Sequence, residues 1–150
     1  MLKTPLCELF GIEVPIILAP MGTCTSAELA AAVSNEGGLG GVGSLFRTTA
    51  AIKRDIDMVR KLTSRPFAIN HIPQTLDAEA FRYTLEARPA VISFALGDPE
   101  DLVRQAHDVG SLVMLQVRRW RRRSKRLTEA LTSSSRRAAR PAAIAARSAR

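Results

Sequence analysis

Hydrophobic residues in the first 117 positions fall into two kinds of segment that alternate along the chain. Short continuous apolar runs, such as VPIILAPM and AVISFA, are typical of strands buried on both faces of a parallel sheet. Between them lie longer segments in which apolar residues recur at helical spacing. Strict alternation of strand and helix predicts a parallel sheet with right-handed crossovers.

The apolar runs predict five strands. Their ranges are 16–19, 39–44, 66–70, 90–95 and 111–117. Five parallel strands with intervening helices fit either a doubly wound sheet or part of an eight-fold (β/α)8 TIM barrel. The pattern therefore establishes an α/β class and leaves these two architectures open.

Capping residues predict where the helices begin and end. Thr4 is a plausible N-cap with Pro5 at the first helical position, and this short leading helix ends at Gly11. Ser26 caps the next helix. Helical spacing predicts that its buried face consists of Leu29, Ala32 and Val33. Further helices are predicted over 49–62, 77–86 and 98–110.

Candidate chemistry within these elements is sparse. The glycine-rich stretch GGLGGVGS at 37–44 precedes and includes a strand and opens no helix, so close packing is a better interpretation than phosphate binding. His71 follows the third strand at a loop mouth and is a minor candidate for contacting a ligand. His107 lies in the middle of a helix, and we expect it at the surface.

The cysteines and the start of the chain point to the cytoplasm. Cys7 and Cys24 lack the spacing of a metal site or a disulfide framework, which predicts reduced thiols. Charged residues and prolines interrupt the apolar runs of the first 20 positions, unlike a signal peptide or a membrane span. We therefore expect a cytoplasmic protein with no metal and no membrane partner.

Charge divides the chain after Val117. Residues 1–117 hold 10 Lys/Arg and 13 Asp/Glu, whereas residues 118–150 hold 12 Lys/Arg and one Glu. The later segment also contains 8 Ala and 5 Ser with one aromatic residue and no Gly, a composition that predicts disorder. We therefore divide the chain into a globular part, 1–117, and a basic tail, 118–150.

Ordered motifs in the globular part resemble one enzyme family. LCELFGIEVPIILAPMG and ELAAAVSNEGGLGGVG, then FAIN, VISFALGDP and VMLQV, are similar to the opening of the nitronate monooxygenases, or 2-nitropropane dioxygenases. The resemblance covers roughly residues 5–117 and implies a TIM barrel that binds FMN and oxidises alkyl nitronates or nitroalkanes with O2. Flavin-dependent enoyl-acyl-carrier-protein reductases share much of this opening and are the alternative.

The resemblance also implies cofactor-binding positions at the carboxyl ends of strands. It places the backbone after the first strand against the isoalloxazine ring and adds two polar side chains that face the flavin. The first group is Ala19, Pro20, Met21 and Gly22, and the polar pair is Asn70 and Gln116. Active sites of such barrels form at these strand ends. Ala68 stands where the family often has Gly, which is a small departure.

The sequence after Val117 departs from the family, which continues with an acidic helix, a strand like VIIAQG and then EAGGH, whose His is the catalytic base. Stepping the reading frame by one base, with suitable synonymous codons, converts RRWRRRSKRLTEALTSSSRR into TTVEEAVEAADRGADVIIAQ. The same step converts AARPAAI into GSEAGGH, which puts the His at Ile144. We therefore interpret the tail as an out-of-frame translation.

Two consequences follow for the chain as printed. We expect a truncated fragment without the family's catalytic His, which binds flavin poorly or not at all and has no denitrifying activity. The competing hypothesis is that the tail is a basic arm that binds polyanions nonspecifically, with a steep salt dependence. We expect no specific nucleic-acid partner, because the single aromatic residue, Trp120, makes no stacking platform.

Overall fold

A computed structural model of the chain describes residues 3–116. Five α-helices and four β-strands alternate in it, with 3-10 turns at Gly22–Cys24 and Pro73–Thr75. The helices are α1 Pro5–Phe10, α2 Ala27–Asn35, α3 Thr49–Leu62, α4 Ala78–Ala87 and α5 Glu100–Asp108. The strands are β1 Gly40–Gly43, β2 Phe67–His71, β3 Val91–Ala95 and β4 Leu112–Gln116. The predicted tail, 118–150, lies outside the described residues.

The strands form one parallel sheet in the order β1-β2-β3-β4. Sequence order equals spatial order, as in a partial TIM barrel and unlike a doubly wound sheet, whose order reverses. The open choice of architecture is thereby resolved in favour of the barrel. Predicted strands two to five are confirmed as β1 to β4.

The first predicted strand, 16–19, is reduced to a single parallel bridge between Ile17 and Leu39. The Leu18 N–H donates to the Leu39 carbonyl at 2.9 Å, and the Leu39 N–H donates to the Ile16 carbonyl at 2.9 Å. The next donor from this segment would be residue 20. Because Pro20 has no N–H, the ladder cannot continue, and the predicted strand is corrected to a bridge beside β1.

Side chains of the sheet alternate between two faces. Leu39, Ala68 and Val91 pack with α1 on what we call the inner face, where Leu112 and Met114 also lie. Val42 and Ile69 pack on the opposite face, which the helices cover. Helix α1 therefore closes the amino-terminal end of the inner face, and the carboxyl end stays open.

Helix α2 packs on β1 through small residues, and the predicted buried face was wrong. The buried positions are Ala27, Ala30, Ala31 and Ser34, whereas the side chain of Leu29 is 41% exposed. A Cβ at Gly40 would lie only 1.9 Å from the Ala30 carbonyl oxygen. Such close approach admits only small side chains at the contact, so the glycine-rich stretch is a packing device, as predicted.

Of the two predicted N-caps, one makes the expected bond: the Ser26 hydroxyl accepts from the Leu29 N–H at 3.2 Å. Thr4 precedes α1 at the predicted position but makes no side-chain capping bond. Thr48, which was not predicted, caps α3 by accepting from the Ala51 N–H at 3.2 Å. Gly11 ends α1 with φ 67°, which confirms the predicted stop. Local sequence therefore fixes the lengths of the helices that lead the chain back across the sheet.

Candidate functional site

Polar side chains replace apolar ones where the inner face reaches its open end. Asn70 is two residues beyond Ala68 on β2, and Ser93 is two residues beyond Val91 on β3. The Asn70 side-chain amide donates to the Ser93 carbonyl at 3.2 Å and to the Ser93 hydroxyl at 3.0 Å. Both side chains are buried, so these bonds hold the amide of Asn70 in one orientation.

Gln116 extends the same face on β4. It follows Met114 by two residues and pairs in register with Ala95. Because side chains alternate, Gln116 shares the face of Met114, which packs in the inner cluster. Its side chain is exposed. The sheet thus brings Asn70 and Gln116 to one edge, with β3 between them.

The segment Ala19–Gly22 borders this edge. Gly43, the last residue of β1, pairs with Asn70, and a Cβ on Gly43 would lie 3.2 Å from Pro20. Ala19 is exposed and Met21 is half exposed. Within residues 3–116, the backbone N–H groups of Met21 and Gly22 donate no hydrogen bond. Two free donors beside an exposed backbone suit the polar edge of a planar heterocycle.

A buried arginine fixes this segment to the sheet. The guanidinium of Arg47 donates to the Gly43 carbonyl at 2.5 Å and to the Thr25 carbonyl. It also forms an ion pair with Asp55 on α3, with an Nε to Oδ2 distance of 3.0 Å. We call these four residues the Arg47 clamp. It joins three segments and restrains the 3-10 turn that follows Met21.

Sequence reasoning missed Ser93 and Arg47. The signal for Ser93 was a lone hydroxyl inside the apolar run AVISFA, at the position where the inner face turns polar. Arg47 carried no comparable signal, since its partners are carbonyl groups distant in the chain. The orientation of the predicted Asn70 amide thus depends on Ser93, and the position of the segment Ala19–Gly22 depends on Arg47. Only the fold brings these residues together.

His71 does not reach the site, which corrects its status as a candidate ligand contact. It is the last residue of β2, only 1% exposed, and alternation turns it toward the helices. Its Nε2 lies 3.0 Å from the Thr84 hydroxyl, which itself donates to the Ala80 carbonyl. Its ring meets Phe81 edge-on with centroids 5.2 Å apart. The imidazole is a core group, neutral and donating from Nε2.

Burial lowers the pKa of His71 to about 4, with the nearby Asp77 carboxylate opposing the shift. The unfolded chain therefore binds a proton between pH 6.5 and 4 that the folded chain rejects. Stability from this group is complete above about pH 6.5 and falls as the pH drops, by about 1.4 kcal/mol per unit and about 3 kcal/mol in all.

Urea unfolding at pH 7, 5.5 and 4.5 checks this expectation. His71→Gln should remove most of the acid-dependent loss in the free energy of unfolding over this range. His107→Gln is the matched control, because His107 is only half-buried. Partial desolvation lowers the pKa of His107 from its ordinary value. Equal slopes for the unchanged chain and His71→Gln would contradict the assignment.

Titratable groups are scarce at the open edge. His107 lies on α5, outside the sheet, and is half-buried, where a surface position was expected. In residues 3–116, no group of three or more His, Cys, Asp or Glu side chains could hold a metal ion. The described part of the edge therefore offers amide, hydroxyl and backbone groups that orient a ligand, and it contributes no imidazole base.

Comparison with known proteins agrees with this geometry. A family model described as nitronate monooxygenase matches residues 3–85, which is more than half of the chain. The chain belongs to the nitronate monooxygenase family. A probable nitronate monooxygenase of Staphylococcus haemolyticus is 46% identical over 65 residues, covering 43% of this chain and 18% of that protein.

Another relative is the (3aS,4S,5R,7aS)-5-hydroxy-7a-methyl-1-oxo-octahydro-1H-indene-4-carboxyl-CoA dehydrogenase of Mycobacterium tuberculosis. It is 33% identical over 117 residues, which cover 77% of this chain. The chain spans about a third of that relative's length and less of the staphylococcal protein. The names of these two relatives point to different substrates. Membership of the nitronate monooxygenase family therefore defines the fold of this chain more sharply than the molecule on which the protein acts.

Solved structures support the partial barrel. FabK from Thermotoga maritima superposes with a TM-score of 0.72 at 29% identity, covering 78% of this chain and 38% of that one. Nitroalkane oxidase from Streptomyces ansochromogenes gives a TM-score of 0.67 at 21% identity, covering 76% and 42%. The second likeness concerns the fold alone. This family member is thus an α/β chain whose described part is a portion of a TIM barrel.

Family membership favours a flavin cofactor. Among the described residues, no helix has the length and apolar character needed to cross a membrane. The cysteines Cys7 and Cys24 are unpaired, as predicted.

Proposed function

We propose that residues 3–116 belong to an FMN-dependent oxidoreductase that converts alkyl nitronates or nitroalkanes with O2. The observation that carries this proposal is the row at the open end of the inner face. There Asn70 is fixed by Ser93, beside N–H groups of Met21 and Gly22 that donate no hydrogen bond within residues 3–116. Such a row suits a flat, polar-edged cofactor at the carboxyl ends of barrel strands.

Each predicted cofactor-binding residue has a distinct task in this proposal. The backbone of Ala19, Pro20, Met21 and Gly22 would line one side of the isoalloxazine ring, with its free donors toward ring acceptors. The Asn70 amide and the Gln116 side chain would hydrogen-bond its polar edge. FMN, when bound, would supply the electron transfer from the nitronate to O2. In this proposal, the residues described here bind and orient the cofactor. The proton acceptor would be the His that the other reading frame encodes at the position of Ile144.

The test uses the product of the gene with one base restored near codon 117, which we call the frame-restored protein. Incubated with propyl nitronate and O2, it should consume oxygen without any nicotinamide. Asn70→Ala should raise the dissociation constant of FMN by roughly tenfold, as expected for the loss of a buried hydrogen-bonding amide. A reaction that requires reduced nicotinamide and an enoyl thioester would instead support the enoyl reductase alternative.

We also propose a cytoplasmic location, which the two unpaired cysteines support. The proposed partners are the nitronate substrate and O2. The division between a globular part, 1–117, and a basic tail, 118–150, remains a proposal that rests on composition and charge.

A further inference from the structure

Phe46 has an environment that neither burial nor local preference accounts for. It lies in the loop after β1, and its side chain is 84% exposed, the largest fraction among the exposed large hydrophobic residues described. Its backbone has φ 61°, in the left-handed region that disfavours residues with a Cβ. A bulky aromatic residue thus combines an unfavourable backbone with an exposed ring.

The surrounding loop is built to maintain this arrangement. On one side of Phe46, the Ser44 N–H donates to the Asn70 carbonyl at 2.9 Å. On the other side, Arg47 is the centre of the Arg47 clamp and its side chain is only 9% exposed. Both neighbours are therefore tied to the carboxyl edge of the sheet, and the strained residue between them is held in place by tertiary contacts.

The ring lies beside the segment proposed to hold the flavin. A Cβ built on Gly22 would meet the Phe46 ring, at Cδ2, at 3.9 Å, which is ordinary van der Waals contact. Gly22 itself has φ 53°, and its N–H has no acceptor among residues 3–116. The Arg47 guanidinium bonds the Thr25 carbonyl and the Gly43 carbonyl at the end of β1. Arg47 therefore sets the position of this turn and of the aromatic ring together.

We propose that Phe46 is a further binding residue, whose ring contacts the flavin ring next to Gly22. This inference rests on the proposed function. An aromatic side chain gains from covering a planar ring system, by stacking or edge-on contact. Contact with the cofactor would bury the exposed ring, and it explains why a strained conformation is retained at this position.

Substitution of Phe46 by glycine separates the two parts of the proposal. Phe46→Gly removes both the backbone strain and the ring, so the unfolding midpoint should rise by a few degrees, on the order of the gain expected from strain relief. FMN affinity of the frame-restored protein, stripped of flavin and measured by quenching of flavin fluorescence, should weaken by roughly three- to tenfold. Phe46→Tyr keeps the ring and should keep the affinity.

Arg88→Gly is the matched control. Arg88 also has a left-handed backbone, with φ 48°, but it caps the end of α4 at the opposite edge of the sheet. It should raise the midpoint similarly and leave FMN affinity unchanged at about 0.15 M salt, where exposed charges are screened. Equal FMN affinity in the frame-restored protein with and without Phe46→Gly would overturn the contact. Nitronate oxidation by the frame-restored protein decides the proposed function separately.

Discussion

Replacing Gly40 by alanine is expected to prevent the sheet from assembling in its observed form. A Cβ at this position would lie 1.9 Å from the Ala30 carbonyl oxygen and 2.7 Å from the Ser34 hydroxyl. Neither atom can move freely, because the first is helix backbone and the second bonds the Pro66 carbonyl at 2.8 Å and the Gly40 N–H at 3.1 Å. Helix α2 would have to leave β1.

The expected cost is at least about 3 kcal/mol, at the upper end of the range for overpacked cores. For a domain of this size, such a loss lowers the unfolding midpoint by roughly 10 to 20 °C, or removes the transition altogether. Thermal unfolding followed by circular dichroism measures the effect.

Gly110→Ala provides the comparison for this experiment. Gly110 has φ 86°, yet a Cβ there would meet no atom within 4 Å. Its substitution tests backbone strain without a clash, and should cost only about 1 kcal/mol. If the two variants unfold at the same temperature, the collision with α2 is not what makes Gly40 necessary.

Elements were predictable from the sequence where local chemistry decides them. Helix α3 was predicted over 49–62 and is found there, because its cap, Thr48, and its apolar period agree. The first strand failed for a local reason that was visible in the sequence, since Pro20 lacks the donor that the ladder needs next.

Packing faces were less predictable than element lengths. Helical spacing alone favoured Leu29 as a buried residue of α2, because large apolar side chains usually form the buried face. The close approach of Gly40 reverses this choice, and alanines face the strand instead. Which face of a helix is buried depends on the partner surface, and the sequence of the helix does not contain that information.

The candidate site shows the same division. The resemblance to the family singled out Asn70 and Gln116, and their places at the carboxyl ends of parallel strands made their meeting at one edge predictable from topology. Arg47 and Phe46 make contacts with distant segments, and no local pattern marks them. Ser93 carried only the weak signal of a lone hydroxyl within an apolar run. His71 was misplaced by one residue of strand length: as the last residue of β2 it faces the helices, and as the first residue of a loop it would face the site.

Sequencing the gene from the codon for Leu115 onward is expected to show one additional base near the codon for Val117. The tail holds 11 net positive charges in 33 residues, whereas residues 1–117 have a net charge of −3. A GC-rich reading frame translated out of register produces such a change, because CG-rich codons encode Arg and Ala. About 27 consecutive tail positions agree with the family's continuation when the frame is stepped by one base.

Restoring that base is expected to change the protein from a chain with little or no bound flavin to one that purifies with about one FMN per polypeptide. The restored segment would supply the acidic helix, the VIIAQ strand and the His at the position of Ile144. Absorbance of the purified protein measures the flavin, and intact mass identifies which frame was translated. A control that restores the frame with Asn in place of that His should keep FMN and lose nitronate oxidation, since the imidazole is the proposed base.

The opposite result has an equally definite meaning. If the gene carries no additional base, the frameshift is present in the gene itself, and cells make, if anything, a truncated and inactive fragment that ends in the basic segment. The hypothesis of a functional basic arm would then gain support only from a sequence-specific affinity that survives physiological salt. An affinity that falls steeply with salt follows from the net charge alone, since each phosphate contact releases a counterion. Phe46, Asn70 and the Arg47 clamp all precede Val117, so we expect the same arrangement at the carboxyl edge of the sheet under both outcomes. The outcomes differ in the chemistry that the protein can carry out at this edge.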